Sequence, residues 1–249
     1  MALLAHTLAL LATTVATVAI KVVPLDMAQD SFDDQYRGCG PAMTKEFPAL
    51  QRFEFQKNRL FAMSWLKAGA EWRKRGSHVS PLADPAQAVA VMANSMSDIY
   101  KDFNAATRAA GRSLQAYRNN FHFKTLHFLL NQALVTLRQA QNWQCYRVFR
   151  GVPDIRFQAR QGQRVGFGHF TSTSLRKEVA LRFGRVTIFE VRTCHGVDIQ
   201  QFSLYPRERE VLIPPFEIFK VTKVIQNGQQ TMISLDSAGI FSKYNCAWL

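Results

Sequence analysis

Two glutamates, Glu208 and Glu210, stand two residues apart in the segment YPRERE, directly before the apolar run VLIP. Residues two apart on a β-strand project to the same side, so in an extended backbone both carboxylates would face one cleft. Paired carboxylates suit glycosidic-bond chemistry, in which nearby negative charge stabilises an oxocarbenium-like transition state. The alternative is a pair of solvated charges at a strand end, and the spacing alone leaves both interpretations open.

An arginine and a glycine end another alternating run, YRVFRG. Arg150 at the end of this predicted strand can bind a phosphate through two hydrogen bonds, while Gly151 allows a ligand to approach the bare backbone. The alternative is an unpaired arginine on an edge strand, because single surface charges are usually solvated. Taken alone, the segment favours that second interpretation.

Three hydroxyls follow two glycines in the segment GFGHFTSTS. Gly166 and Gly168 resemble the start of a dinucleotide-binding fingerprint, but Thr171 stands where the third glycine is required, so the fingerprint fails. We expect the run Ser172-Thr173-Ser174 to enter a helix that contains Phe183, where the hydroxyls act as a cap. Such hydroxyls can also steady a neighbouring carboxylate or a ribose.

The elements that must position these residues change character near residue 143. From about Phe47 to Ala140 apolar residues recur at helical spacing, and after Trp143 short β-rich runs follow, punctuated by Gly, Pro and Asn. This order predicts an α+β fold, with a helical N-terminal half packed on a β-rich C-terminal half of two short sheets. The clearest helical repeats are Leu60, Phe61, Trp65 and Leu66, and Phe123, Leu126, Leu130, Leu134 and Leu137.

The composition is that of a basic globular protein. Its 249 residues include 31 Lys+Arg and 18 Asp+Glu, a formal net charge of +13, with 47% hydrophobic residues. These values exclude the disordered and fibrous classes and predict attraction to anions such as nucleotides, acidic glycans or anionic membranes. The charge is scattered, which argues against a nucleic-acid-binding arm. We interpret the densest basic patch, EWRKRGSH (Glu71 to His78), as a solvated helix end.

Both chain ends bear on the location of the protein. The first twenty residues contain no Lys, Arg, Asp or Glu, and we predict a secretory signal peptide over residues 1–19, although its start lacks the usual basic residues. A transmembrane anchor is the alternative, which the Ala/Thr richness disfavours. Only three residues follow Cys246, so we expect no GPI signal. The folded domain is expected over residues 30–249.

Four cysteines lie beyond the predicted signal, and an even count in an exported chain suggests two disulfides, for which three pairings exist. Cys39 and Cys246 bracket almost the whole folded region, and Cys145 and Cys194 both lie in strand-like segments. We therefore expect the pairs Cys39–Cys246 and Cys145–Cys194. The cysteine and histidine spacings fit no zinc template, so a metal site is not expected.

In chain order, the arginine, the S-T-S run and the E-x-E pair resemble the motifs of the arginine-specific mono-ADP-ribosyltransferases of the vertebrate extracellular family, which are related to clostridial binary toxins. Here the motifs read Arg150, Ser172-Thr173-Ser174 and Glu208-Arg209-Glu210. The resemblance also covers IYKDFNAATRAAG, FHFKTLHFLL, EVLIPPFEIFKV and the four cysteines, and it spans roughly residues 30 to 246. It implies the ADP-ribosyltransferase fold and one catalytic domain over residues 30–249.

The resemblance implies a set of contacts to NAD. Arg150 would bind the pyrophosphate or the nicotinamide ribose, and the backbone of Gly151 would lie beside the nicotinamide. Phe183 stands where the family often has an aromatic ring and would stack on the nicotinamide. Ser172 would donate a hydrogen bond to the catalytic glutamate and orient it.

The resemblance also divides the work between the two glutamates. Glu210 would hold the ribose 2′-hydroxyl and stabilise the positive charge that develops at C1′ as nicotinamide leaves. Glu208 would pair with the incoming guanidinium. An arginine side chain has a pKa above about 12 and is no nucleophile while protonated, so a carboxylate that accepts its proton assists the attack.

We therefore expect a secreted enzyme that transfers ADP-ribose from NAD to the guanidinium group of arginine in proteins or small guanidines, with catalytic residues Arg150, Ser172, Glu208 and Glu210. NAD is expected as a substrate, with no permanently bound cofactor, and the choice between NAD and NADP stays open. We expect a monomer that requires no nucleic acid and has neither a transmembrane nor a GPI anchor. Two alternatives remain: an NAD glycohydrolase, and a non-catalytic basic secreted protein that binds anionic surfaces.

Overall fold

The computed structural model describes residues 20–249, and the predicted signal peptide lies outside the described residues. Helices fill the first half of the described chain, as the periodicity predicts. None of the helices between residues 20 and 249 is long and apolar enough to cross a membrane. The six helices described before residue 141 are α1 (Gly40–Lys57), α2 (Arg59–Lys74), α3 (Pro85–Asn94), α4 (Tyr100–Ala110), α5 (Leu114–Asn120) and α6 (Lys124–Ala140).

Local side chains fix where several of these helices begin. The Asp84 carboxylate accepts a hydrogen bond from the Ala86 backbone N–H at the start of α3, and Pro85 occupies the first helical position. The Ser113 hydroxyl accepts from Ala116 in the same way at α5. These caps satisfy backbone donors that have no partner inside the helix.

The helical repeats differ in which faces they bury. In α6, Leu126, Leu130 and their successors at 134 and 137 are all buried, as their spacing predicts. In α2, Phe61 is buried, but Leu60 and Leu66 are 37% and 62% exposed. The core face of α2 instead uses small residues, because α3 packs closely against it: Ser64, Ala68 and Gly69 are its other buried residues.

The C-terminal half forms one large sheet, and the fold class is confirmed. The two predicted sheets are unequal: eight strands in the order β4-β9-β10-β6-β2-β5-β8-β7, and a parallel pair of β1 with β3. The large sheet is mixed, because β6 and β10 run parallel while the other neighbours are antiparallel. The described strands are β1 (Lys21–Pro24), β2 (Tyr146–Val152), β3 (Ile155–Gln158), β4 (Arg164–Gly166), β5 (Thr171–Ser174), β6 (Thr187–Thr193), β7 (Val197–Asp198), β8 (Glu210–Ile213), β9 (Glu217–Asn227) and β10 (Gln230–Ile240).

The helical half packs on the end of the sheet that contains β7 and β8. One apolar cluster joins the helices to Val197, Phe202 and Leu212, and a second lies within the sheet around Phe189 and Val211. Burial of these side chains removes apolar surface from water and holds the two halves together. The loop that leads into β8 therefore runs between the helices and the sheet.

Two disulfides are present among the described residues. Cys39–Cys246 joins the start of α1 to the C-terminal segment, and Cys145–Cys194 joins the residue before β2 to the residue after β6. The C-terminal segment is also held by carboxylates: Asp33 accepts from the backbone of Lys243, and Asp34 accepts from the backbone of Cys246. The C-terminal segment is thus fixed to the start of α1 and to the segment that precedes this helix.

A buried carboxylate from α1 caps the start of α6. Glu54 is fully buried, and its oxygens accept hydrogen bonds from the backbone N–H groups of Lys124 and Thr125 and from the Thr125 hydroxyl. Burial raises the pKa of Glu54, while these donors oppose the rise. An acidic group here also complements the positive end of the helix dipole.

The substitution Glu54→Ala removes the acceptor and leaves buried donors without partners. We expect the free energy of unfolding to fall by about 3 kcal/mol, measured by urea denaturation. Glu46→Ala, an exposed glutamate on the same helix, is the control and should change stability by less than about 0.5 kcal/mol. Equal, small effects of the two substitutions would contradict the capping role.

Candidate active site

Three adjacent strands carry the three separated motifs. In the order β2-β5-β8, Arg150 lies on β2, Ser172 on β5 and Glu210 at the start of β8. The Arg150 Nη1 atom donates a hydrogen bond to the Ser172 carbonyl oxygen at 2.7 Å. The Ser172 side chain lies near the Glu210 carboxylate and lowers the pKa of that group. Strand pairing therefore brings an arginine, a serine and a glutamate into one site across 60 residues of sequence.

The hydroxyl run does not begin a helix, and that prediction is wrong. Thr171–Ser174 is strand β5, because its backbone pairs with β8 in the register Ser174 opposite Glu210. The next helix, α7 (Lys177–Ala180), is short and ends before Phe183. The consecutive hydroxyls of Ser172 and Thr173 have different partners. Thr173 donates a hydrogen bond to the Val211 carbonyl at 2.6 Å, whereas Ser172 faces Glu210.

The two glutamates do not share an extended backbone either. Pro206–Glu208 forms one turn of 3₁₀ helix, Arg209 is left-handed at φ 49° and ψ 52°, and β8 begins only at Glu210. The turn is stabilised by Ser174, whose hydroxyl donates to the Glu208 carbonyl at 2.6 Å. Strand alternation was therefore the wrong reason for placing the two carboxylates together. The two carboxylates are still close enough that the charge of Glu208 raises the pKa of Glu210.

Glu210 is a buried carboxylate held by two hydroxyls. Burial raises its pKa above the ordinary range, and hydrogen bonds from Ser172 and Ser203 act in the opposite direction. The Ser203 hydroxyl lies 3.1 Å from Oε2 of Glu210. The Arg150 cation also favours the ionised form. The site can therefore present a fixed negative charge away from bulk water.

Glu208 lies at the edge of the same site and is only half-buried. Burial raises its pKa, and the nearby Arg182 cation opposes the rise. The two carboxylates thus differ in surroundings: one is enclosed and hydrogen-bonded, and the other is accessible from solvent. Such a difference allows the two groups to take different roles.

Positive charge gathers at the Arg150 side of the site. Burial lowers the pKa of Arg150, and the neighbouring Arg108 cation lowers it further, while Glu210 opposes the shift. Both guanidinium groups stay charged at any ordinary pH. The His169 ring is buried beside them, and burial together with both cations holds its pKa well below the usual range, so it is neutral. Two arginines beside a carboxylate can bind an anionic ligand without neutralising the carboxylate.

Comparison with known proteins decides the family. The family model described as NAD:arginine ADP-ribosyltransferase matches residues 25–243. The chain belongs to this family. Chicken NAD(P)(+)–arginine ADP-ribosyltransferase 2 is 49% identical over 250 residues, which cover 96% of this chain and 80% of that protein. Human ecto-ADP-ribosyltransferase 5 is 40% identical over 93% of this chain and 82% of its own length.

Solved structures of an ADP-ribosyltransferase have the same fold. The crystal structure of the eukaryotic mono-ADP-ribosyltransferase ART2.2 matches with a TM-score of 0.77 and 33% identity, over 92% of this chain and all of that one. A mutant of ART2.2 was solved in complex with NAD and matches equally well, with a TM-score of 0.76. Related proteins from rabbit, mouse and human are named GPI-linked NAD(P)(+)–arginine ADP-ribosyltransferase 1.

In this ADP-ribosyltransferase, Gly151 is required by close packing. It is buried, and a Cβ atom there would lie 2.3 Å from the Gly184 carbonyl oxygen and 2.4 Å from that of Ala180. The segment from Ala180 to Gly184 therefore lies directly on β2, next to Arg150. Phe183 belongs to this segment, and its ring is 55% exposed. An exposed aromatic ring is thus fixed one residue from the Gly151–Gly184 contact.

Two residues near the site carry only weak sequence signals. Ser203 is fully buried and contacts Glu210. The sequence signal for its burial is its position between two apolar residues, seven positions before that glutamate. Arg108 lies in the segment IYKDFNAATRAAG, where it reads as an ordinary cation on an exposed helix face. Only the packing of α4 beside the sheet places it near Arg150.

The substitution Gly151→Ala forces a methyl group against two backbone carbonyls that flexible side chains cannot relieve. We expect the free energy of unfolding to fall by about 1–3 kcal/mol, measured by chemical denaturation. Gly69→Ala in helix α2 is the matched control, because its Cβ meets only Arg73 at 3.5 Å. That change should stabilise the protein by about 0.5–1 kcal/mol. A Gly151→Ala protein as stable as wild type would contradict the packing requirement.

Proposed function

We propose that this chain transfers ADP-ribose from NAD to the guanidinium group of arginine and releases nicotinamide. One observation carries the proposal: the site holds a buried glutamate, a hydroxyl donor and a half-buried arginine on neighbouring strands, with a second carboxylate at its edge. Membership of the NAD:arginine ADP-ribosyltransferase family supports it. We infer one catalytic domain over residues 30–249, which the matched span of residues 25–243 supports.

The residues of the site fit NAD as a substrate. A guanidinium group has five N–H donors, and among the described residues Arg150 uses one of them, on the Ser172 carbonyl. The remaining donors suit the pyrophosphate, and Arg108 adds a second positive charge for it. The exposed ring of Phe183 is available to stack on the nicotinamide. The tight contact of Gly151 with Gly184 fixes the backbone that carries this ring against the residue that follows Arg150.

Glu210 stabilises the bond-breaking step in this proposal. The bond between C1′ of the ribose and the nicotinamide nitrogen breaks, and nicotinamide leaves with the bonding electrons. Positive charge develops at C1′, and a fixed carboxylate in a dry site stabilises it strongly. Glu210 also accepts a hydrogen bond from the ribose 2′-hydroxyl. Ser172 and Ser203 orient its carboxylate and lower its pKa against the effect of burial, which favours the ionised form.

Glu208 prepares the acceptor. It lies near solvent, where an arginine of another protein or a small guanidine can reach it. A carboxylate aligns the guanidinium through paired hydrogen bonds. As a guanidinium nitrogen forms the new bond to C1′, it loses a proton, and Glu208 accepts that proton. If water replaces the guanidine, NAD is hydrolysed, and this reaction does not require Glu208.

The substitutions Glu208→Gln and Glu210→Gln separate these two roles. Glu208→Gln should lower ADP-ribosylation of agmatine at least about 100-fold and reduce nicotinamide release without acceptor far less. Glu210→Gln should lower both activities by about 100-fold or more. Labelled NAD, with and without agmatine, measures both products. Full arginine transfer by Glu208→Gln, or normal NAD cleavage by Glu210→Gln, would refute the assigned roles.

The raised pKa values of the two glutamates predict the pH dependence. Both carboxylates act in ionised form, so activity is lost as pH falls through pKa values that lie above the ordinary glutamate range. Arg182 opposes the rise for Glu208, so Arg182→Gln should move the acid limb of arginine transfer to higher pH. Nicotinamide release without acceptor should keep its limb. Arg185→Gln, an exposed neighbour, is the control, and equal profiles for both variants would contradict the assignment.

We infer an extracellular location for the enzyme. The relatives named ecto- or GPI-linked and the two disulfides support it. Release as a free monomer is the more specific proposal. Expression in animal cells tests it: the protein should accumulate in the medium, whereas retention on the cell surface until phospholipase C is added would show a GPI anchor instead.

A further inference from the structure

The basic patch at the end of helix α2 contains an arginine whose three nitrogens are all engaged. Arg75 Nε donates to the Glu71 carboxylate at 2.8 Å, Nη1 donates to the Ser203 carbonyl at 2.9 Å, and Nη2 donates to the Leu204 carbonyl at 2.8 Å. Its neighbour Lys74 is 80% exposed and reaches only Glu71, at 3.8 Å. Arg75 is exposed, as expected for a solvated helix end, but all three of its guanidinium nitrogens are bound to other groups of the protein.

The two carbonyls belong to the loop that leads into the E-x-E pair. Within that loop the Ser203 hydroxyl donates to Glu210 at 3.1 Å and accepts from the Tyr205 backbone N–H at 3.2 Å. The next residue, Leu204, donates its N–H to the Ser95 hydroxyl at 2.8 Å, and its side chain packs against α2 and α3. Arg75 thus holds the backbone on both sides of the bond between Ser203 and Leu204.

We propose that Arg75 is a positioning residue for the proposed ADP-ribose transfer, and that it acts through Ser203 on Glu210. Its guanidinium fixes the peptide that carries Ser203, so the hydroxyl stays on the Glu210 carboxylate. The same fixed peptide leads directly into the 3₁₀ turn that presents Glu208. A displacement of about 1 Å at a catalytic group costs up to about 100-fold in rate. This inference rests on the proposed function of the site.

The three hydrogen bonds of Arg75 require the planar, forked guanidinium group of an arginine. The Nη1 and Nη2 groups donate to two successive carbonyl oxygens, and Nε donates to Glu71, which fixes the plane of the guanidinium. A lysine at this position has one nitrogen and cannot make the same three-way arrangement. Arg75→Lys should therefore rescue the function of Arg75 only in part.

The decisive experiment compares Arg75→Gln with Arg73→Gln and Lys74→Gln, which change neighbouring exposed cations of the same helix end. Arg75→Gln should lower kcat for agmatine modification about 10- to 100-fold, with KM for NAD within about threefold of wild type. Release of the Ser203 hydroxyl from Glu210 should also move the acid limb of nicotinamide release to higher pH, because that hydroxyl lowers the pKa of Glu210. The two controls should match wild type in both readouts.

A double-mutant cycle tests the route through Ser203. Ser203→Ala removes the hydroxyl and keeps the backbone carbonyl that Arg75 binds. If Arg75 acts through that hydroxyl, the double variant Arg75→Gln/Ser203→Ala should be within about twofold of the worse single variant. Multiplicative losses would overturn the route, and an Arg75→Gln protein with the kcat and pH profile of its controls would overturn the proposal. Absence of agmatine modification by the wild-type protein would instead refute the proposed function itself.

Discussion

The buried carboxylate of Glu210 is the group on which the rest of the site depends. An ionised carboxylate in a dry environment is costly unless donors and cations compensate it. Here the Ser172 and Ser203 hydroxyls and the Arg150 cation supply that compensation. Each of these partners lies on a different segment, so the charge is stable only when β2, β5 and the loop before β8 are all in place. The same compensation leaves the carboxylate ready to stabilise positive charge in a substrate.

The sheet and the helices make separate contributions to this arrangement. The β2-β5-β8 ladder sets Arg150, Ser172 and Glu210 side by side, while the helices hold the loop that precedes Glu210. Arg75 from α2 and Ser95 after α3 bind the backbone of that loop. The helical half packs on the end of the sheet that contains β7 and β8, and it is also part of the active-site architecture.

The basic character of the chain has a local use at the site. Arg150 and Arg108 lie close to each other and Arg182 lies close to Glu208, so the site combines cations that can bind phosphate with carboxylates that can stabilise positive charge. The two carboxylates differ in solvent exposure, because Glu210 is enclosed and Glu208 is near solvent. This division matches a reaction in which one substrate is enclosed and the second arrives from outside.

The sequence by itself determined the residue types, their order and the fold class. Helical spacing in α6 and β-rich runs after residue 143 are local patterns of the sequence. The motifs around Arg150, Ser172 and Glu210 can also be recognised directly in the sequence. Tertiary structure decided the conformation of those motifs. The Ser172 segment became a strand because β8 pairs with it, and the left-handed Arg209 ended the 3₁₀ turn. Contacts such as Arg75 with Ser203 join residues 128 positions apart, and no local periodicity encodes them.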